Sequence, residues 1–221
     1  MNVLVACEES QRVCIAFRER GHNAFSCDLM SCSGGHPEWH ILGNVLAVLE
    51  PNIAGWTEFY TMDNLYHGFE GTWDLIIAHP PCTRLCNSGQ RWLHYGSEEY
   101  RKKKRLEQLD AVSFFGRFIS VSCPKVAIEN PVGIMSSLYR EPDQIYNPYN
   151  FEGEHEQKKT CLWLKGLPKL KHTQEKPDYI TTEIWHANFN GKQYGYNDPI
   201  VAKLRSKTPW GVARAMAEQW G

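Results

Sequence analysis

Asp74-Leu-Ile-Ile-Ala-His-Pro-Pro-Cys82-Thr83 is the stretch on which the reading of this chain turns. Trp73–Ala78 (WDLIIA) is a short, almost continuous apolar run, the pattern of a parallel strand buried on both faces. It runs straight into His79, Pro80 and Pro81, where the prolines end both sheet pairing and helix. The side chain that follows, Cys82, is therefore held at the edge of a sheet by a stiff turn. A thiol fixed there suits nucleophilic attack along one direction. Filling a turn is the other role open to it. A free thiol is only about 3% ionised at neutral pH, so a nucleophile here needs local positive charge, and Arg84 and Arg91 are near in sequence.

Working outward, Met1–Cys7 (MNVLVAC) reads as another buried strand. A helix is expected after it, with Ser10 as its cap, Val13, Ala16 and Phe17 on its buried face, and Gly21 as its stop. Asn23–Asp28 reads as a second strand that ends on an acid. The interval from 36 to 51 is less regular, with a helical stretch expected at Asn44–Leu49. After the central strand, Cys82–Tyr95 has no period and reads as a long loop, with Gly89 and Gly96 as hinges. Ser97, Glu98 and Glu99 open a helix to about Ile119, with Leu106, Leu109, Val112 and Phe115 at helical spacing. Lys125–Ile128 is a strand ending at Glu129-Asn130-Pro131, and Thr160–Leu164 is a later one. Pro209, at a first helical position, opens a closing helix that carries Val212, Met216 and Trp220.

Strand, helix, strand repeated with long crossovers predicts an open α/β sheet, mostly parallel, with helices on both faces. Function in such sheets gathers at the carboxyl ends of the strands. Four polar clusters fall there: Glu8, Glu9 and Ser10; Asp28; His79 to Thr83; and Glu129 to Pro131. Glu129, at the end of a buried strand, is placed to hydrogen-bond a ring nitrogen of a bound base, and burial is expected to raise its pKa. Capping a turn is the plainer alternative. Asp28 stands where Rossmann-like folds bind a ribose diol.

The 221 residues are 42% hydrophobic and 22% charged, with 24 basic against 25 acidic side chains and a net charge of −1. That excludes a globally basic nucleic-acid binder but leaves room for a local basic face. No run approaches the ~18 apolar residues of a membrane helix. Glu8 and Glu9 come too early for a secretion signal, so the eight cysteines are expected as reduced thiols in the cytoplasm. Cys27, Cys32, His36 and His40 match no common zinc module, and no metal is expected. No obligate protein partner is evident.

These residues carry a resemblance. Asp74–Cys82 resembles the Pro-Cys motif of the C5-cytosine DNA methyltransferases, and Glu129-Asn130 resembles their Glu-Asn motif. Asp28 matches their ribose-binding acid. Gly43-Asn44-Val45 is similar to their Gly-Asp-Ile segment, and Gln157-Lys158-Lys159 with Cys161–Leu164 to their Gln-x-Arg-x-Arg strand. Thr208–Met216 sits where their closing helix completes the cofactor pocket. The chain also resembles small methyltransferase-like proteins of phages and prophages, for which protection of DNA from restriction is implied.

The resemblance implies a Rossmann-like methyltransferase fold in a single domain, residues 1–221. It implies S-adenosylmethionine as cofactor and DNA, or a pyrimidine nucleotide, as substrate. Cys82 and Glu129 would be catalytic. Glu8, Ser10, Asp28, Asn44 and Pro80 would hold the cofactor; Pro81, Thr83, Asn130, Gln157 and Lys159 would meet the substrate. Three departures stand out. Cys7-Glu8-Glu9-Ser10 replaces the family's Gly-rich turn. Lysines replace the arginine pair. The large target-recognition region shrinks to residues 166–207, where Lys169, Lys171, His172, Lys176, Tyr179, Trp185, Lys192, Tyr194 and Tyr196 interleave bases with aromatics. That segment suits nucleic-acid contact or a solvated loop. The run Arg101–Arg105 suits phosphate contact or the solvated first turn of a helix. A different donated carbon group, or a non-catalytic nucleic-acid-binding relative, are the remaining alternatives.

Overall fold

The computed structural model describes residues 1–181, 187–189, 192–195 and 198–221. Seven strands form the main sheet: β1 (Asn2–Ala6), β2 (Asn23–Asp28), β3 (His40–Leu42), β6 (Leu75–Ala78), β7 (Val126–Pro131), β8 (Gln144–Tyr146) and β9 (Thr160–Lys165). A hairpin of β4 (Trp56–Tyr60) and β5 (Tyr66–Glu70) precedes β6, and a second, β10 (Ala187–Phe189) with β11 (Lys192–Tyr194), follows β9. The helices are α1 (Arg12–Glu19), α2 (Asn87–Gln90), α3 (Glu98–Ser120), α4 (Met135–Leu138), α5 (Pro199–Ser206) and α6 (Trp210–Trp220).

The sheet order is β3-β2-β1-β6-β7-β9-β8, with β9 antiparallel to both neighbours and the five strands from β3 to β7 parallel. This is an open, mostly parallel, Rossmann-like α/β sheet, as the sequence predicts. The central strands are apolar at successive positions because both faces are covered. Val3, Val5, Leu75 and Ile77 point to the side of α1 and α6, where Phe17, Val212, Met216 and Trp220 lie. Leu4, Ala6, Ile76 and Ala78 point to the side of α3, where Phe115 and Phe118 lie. Each Val, Leu, Ile, Phe or Met among them contributes about 1.5–3 kcal/mol when fully buried. No helix among the described residues is long and apolar enough to cross a membrane.

Several expected details are corrected. Ser10 does not cap α1. Gln11 occupies that position in the left-handed region at φ 60° without a side-chain cap, and the Glu8 carboxylate accepts the free N–H groups of Val13 (2.7 Å) and Cys14 (3.2 Å) instead. Pro209 is the residue before α6 rather than its first. Asn44–Leu49 holds only a single 3-10 turn, Val45–Ala47, capped by Asn44. Residues 82–95 are not one loop: α2 and a 3-10 turn, Arg91–Leu93, lie within them. Reading the chain alone leaves out strand β8, too short for a period, and helix α5, although Asp198 caps it, Pro199 opens it and Ile200, Val201 and Leu204 fall at helical spacing.

The β1–α1 turn reproduces with other residues what glycine usually supplies. Cys7 and Gln11 both sit at φ 60°. The cost of that conformation is offset by cross-links. The N–H groups of Cys7 and Glu8 donate to the Cys27 carbonyl (2.7 and 3.2 Å), and the Gln11 side-chain amide donates to the His36 carbonyl (2.8 Å) while accepting from its N–H (3.1 Å). Gly34 closes over this turn so tightly that a Cβ there would lie 2.6 Å from the Gln11 Cβ and 2.8 Å from the Ser10 carbonyl oxygen. Gly43, by contrast, faces open space. Gly34→Ala is expected to cost about 1–3 kcal/mol through overpacking, and Gly43→Ala no more than about 0.5 kcal/mol. Urea unfolding of the two variants side by side measures the difference; equal midpoints would show that the turn and the 31–36 loop are not packed together.

Candidate active site

Register builds the site. Ala78 of β6 lies opposite Ile128 of β7, so the next residues in each strand, His79 and Glu129, meet on the same face. His79 Nδ1 is 3.0 Å from Glu129 Oε2, and both side chains are largely buried. One residue further, the Asn130 side-chain amide donates to the Pro80 carbonyl at 2.7 Å. The Pro-Pro turn is thereby tied to the end of β7, and Cys82 emerges beside Glu129.

The turn is gripped from the other side as well. Leu85 and Cys86 N–H groups donate to the Cys82 carbonyl (both 2.9 Å), and the Leu85 carbonyl accepts from Ile134 (2.9 Å). Gly133 approaches so closely that a Cβ there would lie 2.0 Å from the Leu85 carbonyl oxygen. Gly89 is likewise pressed against the Thr83 carbonyl, with 2.2 Å for an added Cβ, so it is a packing position and not a hinge. Gly96 does take a positive φ of 84°, directly before the Ser97 cap of α3.

A third element enters from β9. Residues 157 to 160 alternate, with Gln157 and Lys159 exposed and Lys158 and Thr160 turned inward. Lys158 and Thr160 line a narrow cleft with Glu129, Tyr146 and Thr208. Lys158 Nζ donates to the Arg205 carbonyl at the end of α5 (2.8 Å), and its charge acts on both Cys82 and Glu129. Lys158, rather than Lys159, is the cation of this site. Arg84 is engaged with Glu107 (2.7 Å) and Arg91 lies over the Trp92 ring (4.8 Å to the centroid), so neither supplies the positive charge expected near the thiol.

The electrostatics differ from the expectation for Glu129. Burial pushes its carboxyl up, but the His79 hydrogen bond and the charges of Lys158 and His79 outweigh that and hold it below the usual carboxylate range. The anionic carboxylate requires His79 Nδ1 to carry the proton between them. Cys82 is raised, first by the hydrogen bond it makes with Cys86, then by burial and by the charges of Cys86 and Glu129, with Lys158 opposing.

The remaining expected site residues divide. Asp28, at the end of β2, accepts from the Met30 N–H (2.9 Å) and stays partly exposed. Asn44 spends its side-chain oxygen on the Leu46 N–H (3.1 Å), and Glu8 is spent on α1. Ser10 is buried in the β1–α1 turn, and Pro81 and Thr83 are exposed beside Cys82. Glu9, which sequence reasoning noted but did not select, is buried with neither carboxylate oxygen hydrogen-bonded. Six buried side-chain polar atoms among the described residues lack a partner, and four of them belong to Glu9, His79 and Asn130, all at the carboxyl edge of the sheet. Buried polar groups are ordinarily satisfied, so this concentration marks the edge as a place for a ligand.

No cluster of His, Cys, Asp and Glu among the described residues is arranged to hold a metal. His40 commits both ring nitrogens, to Ser26 (2.8 Å) and to the Met30 carbonyl (2.9 Å). In the basic-aromatic segment, residues 168–171 are bound to the fold: Leu170 is buried, and the Trp220 indole donates to the Pro168 carbonyl (2.9 Å). Tyr179 stacks on His155 at 4.1 Å. Trp185 and Tyr196 lie outside the described residues. In the basic run, Lys104 pairs with Glu107 (3.0 Å), while Lys102 and Lys103 are exposed.

No family model matches this chain, and no curated protein matches it. Solved structures similar to it include the 16S rRNA methylase RmtB, at 16% identity and a TM-score of 0.34 over 74% of this chain and 54% of that one. Another is an E. coli structure described as a DNA modification methyltransferase encoded within a prophage, at 14% identity and 0.38 over 86% of this chain and 58% of that one. The chain spans little more than half the length of either.

The low Glu129 pKa has a signed consequence. A carboxyl held below its unfolded value stabilises the fold above the ordinary carboxylate range, and that contribution is lost as pH falls through the folded value. In His79→Ala, burial is opposed by Lys158 alone, and the Glu129 carboxyl is expected to titrate at higher pH. Carboxyl carbon NMR of the two proteins reads the midpoint directly. No upward movement would mean that His79 does not hold the anion.

Proposed function

We propose that the protein is a methyltransferase acting on C5 of cytosine in DNA, with Cys82 as the nucleophile and S-adenosylmethionine as the methyl donor. The observation that carries this reading is the meeting of Cys82, Glu129 and Lys158 at the carboxyl edge of the sheet, beside buried polar atoms that lack partners. A planar ring placed between Cys82 and Glu129 would face the thiol at one atom and the carboxylate along an edge.

The residues fit the cofactor. Its amino-acid end carries an ammonium, and Glu9 offers a buried carboxylate with no partner; its ribose carries a diol, and Asp28 is a partly exposed acid at the end of β2. When bound, S-adenosylmethionine supplies an electrophilic methyl group. Asn44 and Glu8, being engaged in the fold, shape the walls of that region.

The chain's own groups account for the rest. Cys82 keeps its proton in the free protein and passes it to Cys86, its hydrogen-bonded neighbour, as Sγ bonds to C6. Lys158 stabilises the sulfur as it becomes anionic. Glu129 accepts from the exocyclic amino group of the base. As negative charge builds at N3, a proton from solvent reaches it by way of Glu129, and His79, whose Nδ1–H is held against Glu129, acts as a positioning residue. C5 thereby becomes nucleophilic. After transfer, the C5 proton goes to solvent, the C6–sulfur bond breaks to return Cys82 as the thiolate, and Glu129 takes back the N3 proton, which restores the aromatic ring. A base in a duplex must first leave the stack, at a cost of roughly a few kcal/mol. Residues 166–207 act as a reduced target-recognition segment, with the exposed Lys102 and Lys103 near the phosphate backbone.

Two substitutions test this reading. Cys82→Ala is expected to abolish transfer while leaving the unfolding midpoint in place. Glu129→Gln is expected to slow transfer by about 10²–10⁴-fold, the scale of acid–base assistance. Mass spectrometry of nucleosides from DNA of cells making the wild-type protein, against cells making Cys82→Ala, reads both substrate and transferred group. A methylated cytosine present only with the wild type is the expected result; unmodified DNA alongside a modified nucleotide pool would move the substrate to the free pyrimidine nucleotide. Calorimetric titration with S-adenosylmethionine is expected to give binding that weakens at least ~10-fold in Glu9→Gln, because an ion pair in a buried site is lost. Absence of binding to the wild type would remove the cofactor assignment.

A further inference from the structure

Cys86 stands one turn beyond Cys82, and its backbone N–H donates to the Cys82 carbonyl at 2.9 Å. That bond closes a helical turn, which brings side chains four residues apart onto one face. The two sulfurs are hydrogen-bonded to each other. Cys86 Sγ also lies 3.2 Å from the Ser88 hydroxyl. Both cysteines are free and partly exposed, whereas Cys14, Cys27, Cys123 and Cys161 are buried. The turn itself is fixed on both sides, by Asn130 on Pro80 and by Ile134 on Leu85. The sulfurs therefore face each other as a standing arrangement and are open to a small reagent.

We infer that Cys82 and Cys86 form a reversible disulfide in the presence of a low-molecular-weight disulfide such as oxidised glutathione, and that this bond is a modification site which takes the proposed nucleophile out of use. The Cys86 thiol is held down to about 5, mainly by the hydrogen bond from Cys82, with Ser88 and the Gly89 N–H helping against burial. It is thus the attacking thiolate. Its sulfur bonds to one sulfur of the small disulfide and releases one reduced thiolate. The Cys82 sulfur then bonds to Cys86 Sγ, the mixed disulfide breaks, and a second reduced thiolate leaves. The Cys82 proton goes to solvent. Two protein thiols are oxidised and one small disulfide is reduced to two thiols. An excess of dithiothreitol reverses the sequence by the same exchange.

The bond forms independently of the proposed function; only its effect on transfer rests on that reading. The test uses the full chain. Arg84 lies between the two cysteines and Trp73 separates Cys82 from Cys27 and Cys32, so digestion with trypsin and chymotrypsin places Cys82, as the sole cysteine, on a peptide ending at Arg84 and Cys86 on one ending at Arg91. After exposure to oxidised glutathione and digestion without reductant, these two peptides are expected joined, two hydrogens lighter than their sum. Loss of iodoacetamide labelling at Cys82 is expected at least ~10-fold faster in the wild type than in Cys86→Ser, since the intramolecular step is removed. Glutathione resting on Cys86 with Cys82 still labelled, Cys82 joined to a different cysteine, or equal rates in the two proteins would each overturn the inference. If the joined peptides appear but oxidised and reduced protein transfer methyl groups equally, the disulfide stands and Cys82 loses its catalytic role.

Discussion

The pairing of β6 with β7 is the constraint on which the site depends. Two buried parallel strands end in step, so the first polar residue beyond each, His79 and Glu129, share one face with 3.0 Å between them. The residues after those, Pro80 and Asn130, are joined by a hydrogen bond. A slip of one residue in this register would turn Glu129 to the α3 side and leave the carboxylate in an apolar layer. The Pro-Pro turn cannot relax to hide such an error, because it has neither donors nor conformational freedom to spare. Position of the thiol is thus inherited from the ladder of the sheet rather than from the loop that carries it.

The same edge explains how so many ionisable groups coexist in a mostly buried place. Glu8 is neutralised in effect by the N-terminal N–H groups of α1, yet burial still leaves its pKa raised. Glu129 goes the other way because His79 and Lys158 both face it. Neighbouring carboxyls pushed in opposite directions are the pattern by which sites assign separate roles to like groups. Glu9 completes the set, with neither carboxylate oxygen hydrogen-bonded. A buried carboxylate without a hydrogen bond is costly against the ~5–15 kcal/mol by which folded proteins are stable.

The sheet was legible because its central strands are buried on both sides. β1, β2, β6, β7 and β9 announce themselves as apolar runs, and α1, α3 and α6 as periodic ones. β3 and β8 are three residues long, too short for any period, and β8 exists through pairing with β9 and through Gln144, which brackets Leu170 with two hydrogen bonds of 2.8 Å. The cap of α1 escapes the sequence for a related reason. Ser10 has the right chemistry and the right place in sequence, but the left-handed Gln11 turns the chain so that Glu8 reaches the free N–H groups first. No propensity rule carries a conformation that is imposed by Gly34 and His36 from another loop.

At the site, sequence supplied the thiol and the acid but not what surrounds them. The strand-end position of Glu129 implied burial and hence a raised pKa; the neighbour that reverses the sign, His79, lies fifty residues earlier and is brought in only by register. Lys158 shows the finer limit. The run Gln157-Lys158-Lys159 holds two lysines of equal chemistry, and only strand alternation decides which one faces the cleft. Counting back from Thr160, a buried β9 residue that lines the cleft, by the period of two selects Lys158, and the exposure of Gln157 and Lys159 on either side agrees. Extending that strand two residues upstream finds the cation. The parity of a strand, applied beyond its last apolar residue, therefore carries information about charge as well as about packing.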